Sequence, residues 1–289
     1  MTNRLKAIAW KITGFFINCR PAVFVLISNW FPYLRKPFTR AFRNAEAREF
    51  NSNGLIQLMN YGYASEDPSD FPVQLDKRDE QEFIFSWRLV YETVKNGHLA
   101  GKDVLVVGCG RGGDAYFVKR YMRAKTVVGI DLSEAGIALC QENYKHIDGL
   151  SFQVGDAEHL AFDNQRFDAV VNIESSHHYP SQRQFYREVY RVLKPGGVFL
   201  YTDYFWDKNH RRYLKESGFK ISEEKDITQN IILAAEKGYE MRKELLKKVV
   251  PERLLNEALD LSGAKGTHTY RRFKEGKLPY ERFVLVRET

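Results

Sequence analysis

The residues able to do chemistry in this chain recur at regular intervals. Gly108, Gly110 and Gly112 lie in VVGCGRGG, where a backbone without side chains turns tightly and approaches a ligand that any Cβ would obstruct. Asp131 ends VVGID, and a carboxylate there accepts both hydroxyls of a ribose. Asp156, in Gly155-Asp156-Ala157, offers an acceptor to an adenine amine, with the small Ala157 beside it. Glu174, His177 and His178 follow in NIESSHHYP, and Asp203 ends VFLYTD. Histidine takes protons near neutral pH, which suits the activation of a weak nucleophile such as an aliphatic hydroxyl. Neighbouring residues on a loop usually point apart. His178 is therefore expected to meet the substrate, and His177 to steady the loop or touch the ligand. Asp203 is expected to orient the imidazole or share the role of base.

These residues need a common edge, and the surrounding pattern supplies one. Val104–Val107, Val127–Ile130, Leu150–Val154, Phe167–Ile173 and Val198–Thr202 read as strands. Helix-length segments alternate with them, including Ala135–Tyr144 capped by Ser133, and Gln182–Leu193 broken by Lys194-Pro195-Gly196-Gly197. Such alternation implies an α/β fold with a parallel sheet, whose ligands bind beyond the strands' C-terminal ends, where Gly108, Asp131, Asp156, Glu174, His178 and Asp203 all fall. GxGxG by itself suits a dinucleotide dehydrogenase, a flavin enzyme or an S-adenosylmethionine (SAM) enzyme. The chain has one nucleotide-binding half, and it closes on helix, strand, insert and strand, ending in RFVLVR.

The 289 residues, 44% of them hydrophobic and 14% aromatic, suffice for one large domain with appendages. Net charge is +7, yet no nucleic-acid motif is present, and Arg35, Lys36, Arg40, Arg43 and Arg48 cluster beside an apolar segment. Residues 1–33 read as a helical arm interrupted at Arg20-Pro21. Either it lies in a membrane interface, residues 1–45 making a peripheral contact with Arg35 and Lys36 at headgroups, or it packs on the protein or on a second copy as a homodimer. Residues 34–100 read as a lid and first helix, and 101–289 as the core, with a helical insert at about 229–261. Three cysteines at wide spacing argue against disulfides and for a reducing, cytoplasmic compartment. No metal-ligand spacing occurs, so no metal is expected.

VLVVGCGRGG, VVGIDLS, VGDAEHLAF, FDAVVNIESSHHY and VYRVLKPGGVFLYTDYF resemble, in order and spacing, the successive motifs of class I SAM-dependent methyltransferases. MNYGYASEDP, SEAGIALCQ and the tail around Gly263–Phe283 extend the likeness, from about Phe31 onward, to the phthiotriol and phenolphthiotriol dimycocerosate methyltransferases, which methylate a hydroxyl of a long lipid diol. The resemblance implies a Rossmann-like seven-stranded sheet with its last strand antiparallel. It also implies SAM as methyl donor, S-adenosylhomocysteine as product and a hydroxylated lipid-like or polyketide-like acceptor. The three glycines would pass beneath the methionine and ribose, Leu132 would lie against the adenine with Ala157, Glu174 would sit near the methionine end, and Tyr63 would close over the donor. Two other readings stand beside this one. One is carbon methylation of an isoprenoid or sterol-like alkene, with Tyr61, Tyr63 and Glu174 stabilising a cation. The other is a non-catalytic partner subunit of the same fold.

Overall fold

The computed structural model describes residues 32–50, 57–76, 83–205, 207 and 209–288. The expected arm over residues 1–33 lies almost wholly outside the described residues. Seven strands form one sheet: β1 (Asp103–Val107), β2 (Thr126–Asp131), β3 (Leu150–Val154), β4 (Phe167–Ile173), β5 (Leu193–Tyr204), β6 (Phe219–Asp226) and β7 (Tyr280–Arg287). Their order is β3-β2-β1-β4-β5-β7-β6. The pairings from β3 through β5 are parallel, as the alternating pattern led us to expect, and β7 runs antiparallel to both its neighbours, as the resemblance implied. The helices used below are α1 (Pro32–Phe50), α2 (Ile84–Val94), α3 (Gly113–Arg120), α4 (Glu134–Tyr144), α5 (Gln182–Val192), α6 (His210–Glu216), α7 (Thr228–Lys237), α8 (Tyr239–Val249), α9 (Leu255–Leu261) and α10 (His268–Lys274).

Both faces of the sheet are covered, which is why the inner strands read as unbroken apolar runs. Val104 and Val106 of β1 join Trp87, Leu89, Val90 and Phe117 on one side. Leu105 and Val107 join Val170, Phe185, Val189 and Phe199 on the other. Alternate strand residues point to opposite faces, so β1 is shared between two cores. Burying each such side chain is worth about 1.5–3 kcal/mol, so the two layers hold the sheet edge rigidly. α5 presents Phe185, Val189 and Val192 at helical spacing, all fully buried.

The helix before Lys194–Gly197 ends at Val192, as expected, but the next strand begins at Leu193 rather than at Val198. The stretch thus lies inside β5, where Leu193 pairs with Phe167 and Val198 with Ala169. The excess residues bulge out of the ladder, and Gly196 takes φ +74 there. The helical insert is real but subdivided: α7, α8 and α9 cover most of 228–261. α1 runs through the expected boundary at 33/34 and belongs to the site.

Candidate active site

One cavity opens at the C-terminal edge of the sheet, and residues from widely separated segments line it. Gly108, Cys109, Gly110 and Arg111 come from the β1–α3 turn and Asp114 from the start of α3; Asp131 ends β2 and Leu132 follows it; Asp156 and Ala157 follow β3; Glu174, Ser175, His178 and Tyr179 follow β4. α1 contributes Lys36, Thr39 and Arg43, and the segment before α2 contributes Met59 and Asn60.

The turn is shaped by left-handed backbone. Gly108 has φ +71 and donates its N–H to Ile130 O at 2.8 Å. Gly110 has φ +53, and its N–H donates to Asp131 Oδ2 at 3.0 Å. Gly112 differs from the expectation: it does not line the cavity, and a Cβ there would meet the rings of Tyr144 at 2.7 Å and Phe152 at 2.9 Å. It lets the turn close onto the core rather than onto a ligand.

Asp131 is held by two backbone donors, Gly110 N and Ser133 N, the latter at 2.9 Å to Oδ1. Burial raises its pKa, opposed by those donors and by the charges of Arg43 and Arg111. Each oxygen keeps a lone pair for a further donor, as a vicinal diol requires. Ser133 caps α4 by accepting from Gly136 N at 3.0 Å, and Asn44 of α1 adds a second cap by accepting from Ala135 N at 2.9 Å.

α1 lies across this edge. Lys36 Nζ stands 2.6 Å from Asp156 Oδ2 and 2.5 Å from Glu158 Oε2, Arg40 pairs with Glu134, and Arg35 donates to His177 O. Arg35 and Lys36, expected at lipid headgroups, are thus turned onto the protein's own acids and carbonyls. Burial pushes the Asp156 pKa up, but Lys36 and the Glu158 N–H hold it below the ordinary value.

The histidine loop forms a short 3-10 turn, Ser176–His178. Asp203, fully buried, accepts from His177 Nδ1 at 2.7 Å and from Ser176 Oγ at 2.7 Å. The expected partnership was with the substrate-facing imidazole; the observed one is with His177, which stacks on Tyr204 at 4.3 Å and does not line the cavity. His178 does line it, with Nε2 3.0 Å from Arg43 Nη2. A guanidinium only donates, so that nitrogen accepts. Burial, and then the charges of His177, Arg43 and Arg35, lower the His178 pKa well below its usual value, so the ring is neutral at pH 7.

Tyr63 also departs from its expected place. Its buried ring lies 5.8 Å from Lys225 Nζ, away from the cavity. Gly62, with φ +84, reverses the chain between the two tyrosines, and it is Tyr61 whose N–H donates to Glu174 Oε1 at 2.8 Å. Glu174 has φ +46, unusual for a residue with a Cβ, and also accepts from the Tyr280 hydroxyl. Burial drives its pKa up to about 8, the Tyr280 and Tyr61 hydrogen bonds opposing and Asp203 adding. A carboxyl whose folded pKa is raised contributes stability that is fully present below the unfolded value near 4.5 and is lost as pH rises through about 8. The melting temperature is therefore expected to fall between pH 5 and 8.5, and Glu174→Gln to flatten that fall; parallel curves for the two proteins would refute it.

Lys36, Arg43, Asn44 and Arg111 are the site residues that sequence reasoning missed. Arg111 had a signal, a cation inside a glycine turn; the three on α1 had none, because their partners lie about ninety residues or more away in the chain.

Residues 105–201 match a family described as a methyltransferase domain. The phthiotriol/phenolphthiotriol dimycocerosates methyltransferase of Mycobacterium tuberculosis (strain ATCC 25618 / H37Rv) is 30% identical over 266 residues, covering 90% of this chain and 91% of that protein. The fatty-acid O-methyltransferase of Mycolicibacterium smegmatis (strain ATCC 700084 / mc(2)155) is 34% identical over 235 residues, covering 80% and 84%. Among solved structures, the geranyl diphosphate C-methyltransferase of Streptomyces coelicolor A3(2), in complex with Mg2+, geranyl diphosphate and S-adenosyl-L-homocysteine, superposes with a TM-score of 0.64 at 16% identity, over 88% of this chain and 98% of that one. The left-handed glycines facing the cavity, the doubly anchored Asp131 and the Asp156–Ala157 pair all fit an adenosyl donor with its ribose diol. The chain belongs to the class I SAM-dependent methyltransferases.

Proposed function

We propose that this enzyme methylates an oxygen, a hydroxyl, on a lipid-like acceptor. The observation carrying the reading is the run of one cavity from Asp131 and the glycine turn to His178, with acids and aromatics behind it. When bound, SAM supplies an electrophilic sulfonium methyl. The residues of this chain supply position: Gly108 and Gly110 beneath the donor, Asp131 on its ribose, Leu132 and Ala157 beside the adenine, Asp156 toward the adenine amine and Glu174 near the methionine end. His178 faces the acceptor as a neutral imidazole and takes the hydroxyl proton once Arg43 yields its nitrogen, while His177, held by Asp203, fixes the loop. The relatives named above support an oxygen acceptor and a lipid-like one.

Incubation with labelled SAM and a panel of hydroxylated lipids is expected to give S-adenosylhomocysteine and a methyl ether. His178→Ala should lower the rate by roughly 10²–10⁴-fold with donor affinity retained. Intact donor binding with no turnover on any lipid would sink the reading, and an unchanged His178→Ala rate would remove that residue as the base. Carbon methylation is the second reading, supported by the rings of Tyr61, Tyr204, Phe273 and Tyr280 gathered next to Glu174 at centroid distances of 5.1–6.4 Å. The carbon-13 shift of the transferred methyl separates the two, since an O-methyl carbon resonates far downfield of a C-methyl.

A further inference from the structure

Arg111 stands inside the glycine turn and nothing in the fold accounts for it. It is 5% exposed, lines the cavity, and its Nε is buried with no partner. Among the described residues it makes no hydrogen bond and no ion pair. An unpaired buried charge costs several kcal/mol, which proteins ordinarily offset with a carboxylate or a ligand. The two carboxylates whose charge acts on Arg111 are engaged elsewhere. Glu46 accepts from Arg43 Nη1 at 2.8 Å, and Asp131 accepts from Gly110 N and Ser133 N. Arg43, which also lines the cavity, adds a like charge that Arg111 feels; burial and that charge both lower the Arg111 pKa. Arg43 is itself committed, through Nη1 to Glu46 and Nη2 to His178, so Arg111 alone offers an unused planar fork of donors. That fork matches a carboxylate bidentately.

We propose that Arg111, with the charge of Arg43 beside it, forms a carboxylate-binding subsite at the glycine turn. Two molecules can bring the carboxylate: the methyl donor, on its methionine moiety, or an acceptor that is a long-chain carboxylic acid. The second source rests on the oxygen-acceptor reading above and the first does not. An acid acceptor is already ionised at neutral pH and would need a cation more than a base.

Calorimetry on the full chain distinguishes the sources without relying on turnover. Wild type, Arg111→Gln and Arg111→Lys would be titrated with SAM and with decarboxylated SAM, and then, saturated with S-adenosylhomocysteine, with a saturated fatty acid and the alcohol of equal length. Melting temperatures identify any variant that fails to fold, and Arg111→Lys, which keeps the charge, serves as the second variant. If the donor is the source, wild type binds SAM roughly tenfold or more tightly than the decarboxylated analogue, Arg111→Gln removes that preference, and lysine restores part of it. If the acceptor is the source, the SAM preference is untouched, and Arg111→Gln weakens the fatty acid by roughly tenfold while leaving the alcohol alone. Equal weakening of every ligand, or no change in any, overturns the subsite. Absence of methyl transfer to any lipid would defeat the acceptor chemistry proposed above yet leave the donor titrations readable.

Discussion

Gly108→Ala is expected to weaken donor binding severely and to destabilise the protein by about 2–5 kcal/mol, the sum of two costs. A left-handed conformation costs a residue with a Cβ about 1–2 kcal/mol, and Gly108 sits at φ +71. A Cβ at that point would also lie 2.6 Å from Ser175 Cβ and 2.8 Å from the Tyr179 hydroxyl, and overfilling such a site costs about 1–3 kcal/mol. Those neighbours cannot give way independently. Ser175 Oγ and the Tyr179 hydroxyl are 2.5 Å apart, and Asn172 Nδ2 donates to both and to Val107 O. Moving them displaces the segment that carries Glu174 and His178, so donor affinity should drop by about 100-fold or more. Gly101→Ala is the control: its φ is +73, but a Cβ there meets nothing within 4 Å, so only the conformational cost remains. Urea midpoints and calorimetric titration with S-adenosylhomocysteine measure both effects. Indistinguishable behaviour of the two variants would mean that the clash is relieved at no cost and that the cradle is not as drawn.

Asp203→Asn is expected to cost about 3–5 kcal/mol in stability, the range for removing one partner of a buried charged network. The carboxylate accepts four hydrogen bonds: from His177 Nδ1 at 2.7 Å and Tyr204 N at 2.8 Å on Oδ1, and from Ser176 Oγ at 2.7 Å and His177 N at 3.2 Å on Oδ2. An amide accepts on one side only, so its NH₂ must face groups that donate to the carboxylate in the wild type. With Asp203 in place a proton is held on Nδ1 of His177, facing Oδ1; in the variant that preference is lost, and nitrogen-15 shifts of the imidazole should report it. Because the turn Ser176–His178 is tied to the sheet through this residue, methyl transfer should fall with stability, even at temperatures where the variant is fully folded. A wild-type melting temperature together with unchanged imidazole shifts would disprove this account.

The strands and helices of the core were readable because each carries its own local signal. β3 and β4 fall on the residues expected, since an alternating or continuous apolar pattern followed by a glycine or an acid marks both strand and edge. The Lys194–Gly197 stretch marked the helix end but hid the start of β5, because proline and glycine fit a turn between elements as well as a bulge inside a strand. Tyr61 and Tyr63 differ in nothing that composition reveals; the left-handed Gly62 between them decides which one reaches Glu174. Of the two histidines it is His178 that lines the cavity, and Asp203 takes His177 as its partner rather than the substrate-facing ring expected.

What the residues determined by themselves is the sheet, its edge and the class of ligand that the edge accepts. Those follow from strand periodicity, from glycines that alone tolerate the turn, and from acids placed at or near the ends of β2 to β5, all within short stretches of chain. Tertiary structure decided what surrounds that ligand. Lys36 stands on Asp156, Arg43 on His178 and Tyr61 on Glu174, each across more than a hundred residues of chain. Electrostatic energy depends on distance in space and on burial. Proximity in space is what leaves Glu174 with a raised pKa, keeps His178 neutral and makes Arg111 a charge in need of a partner.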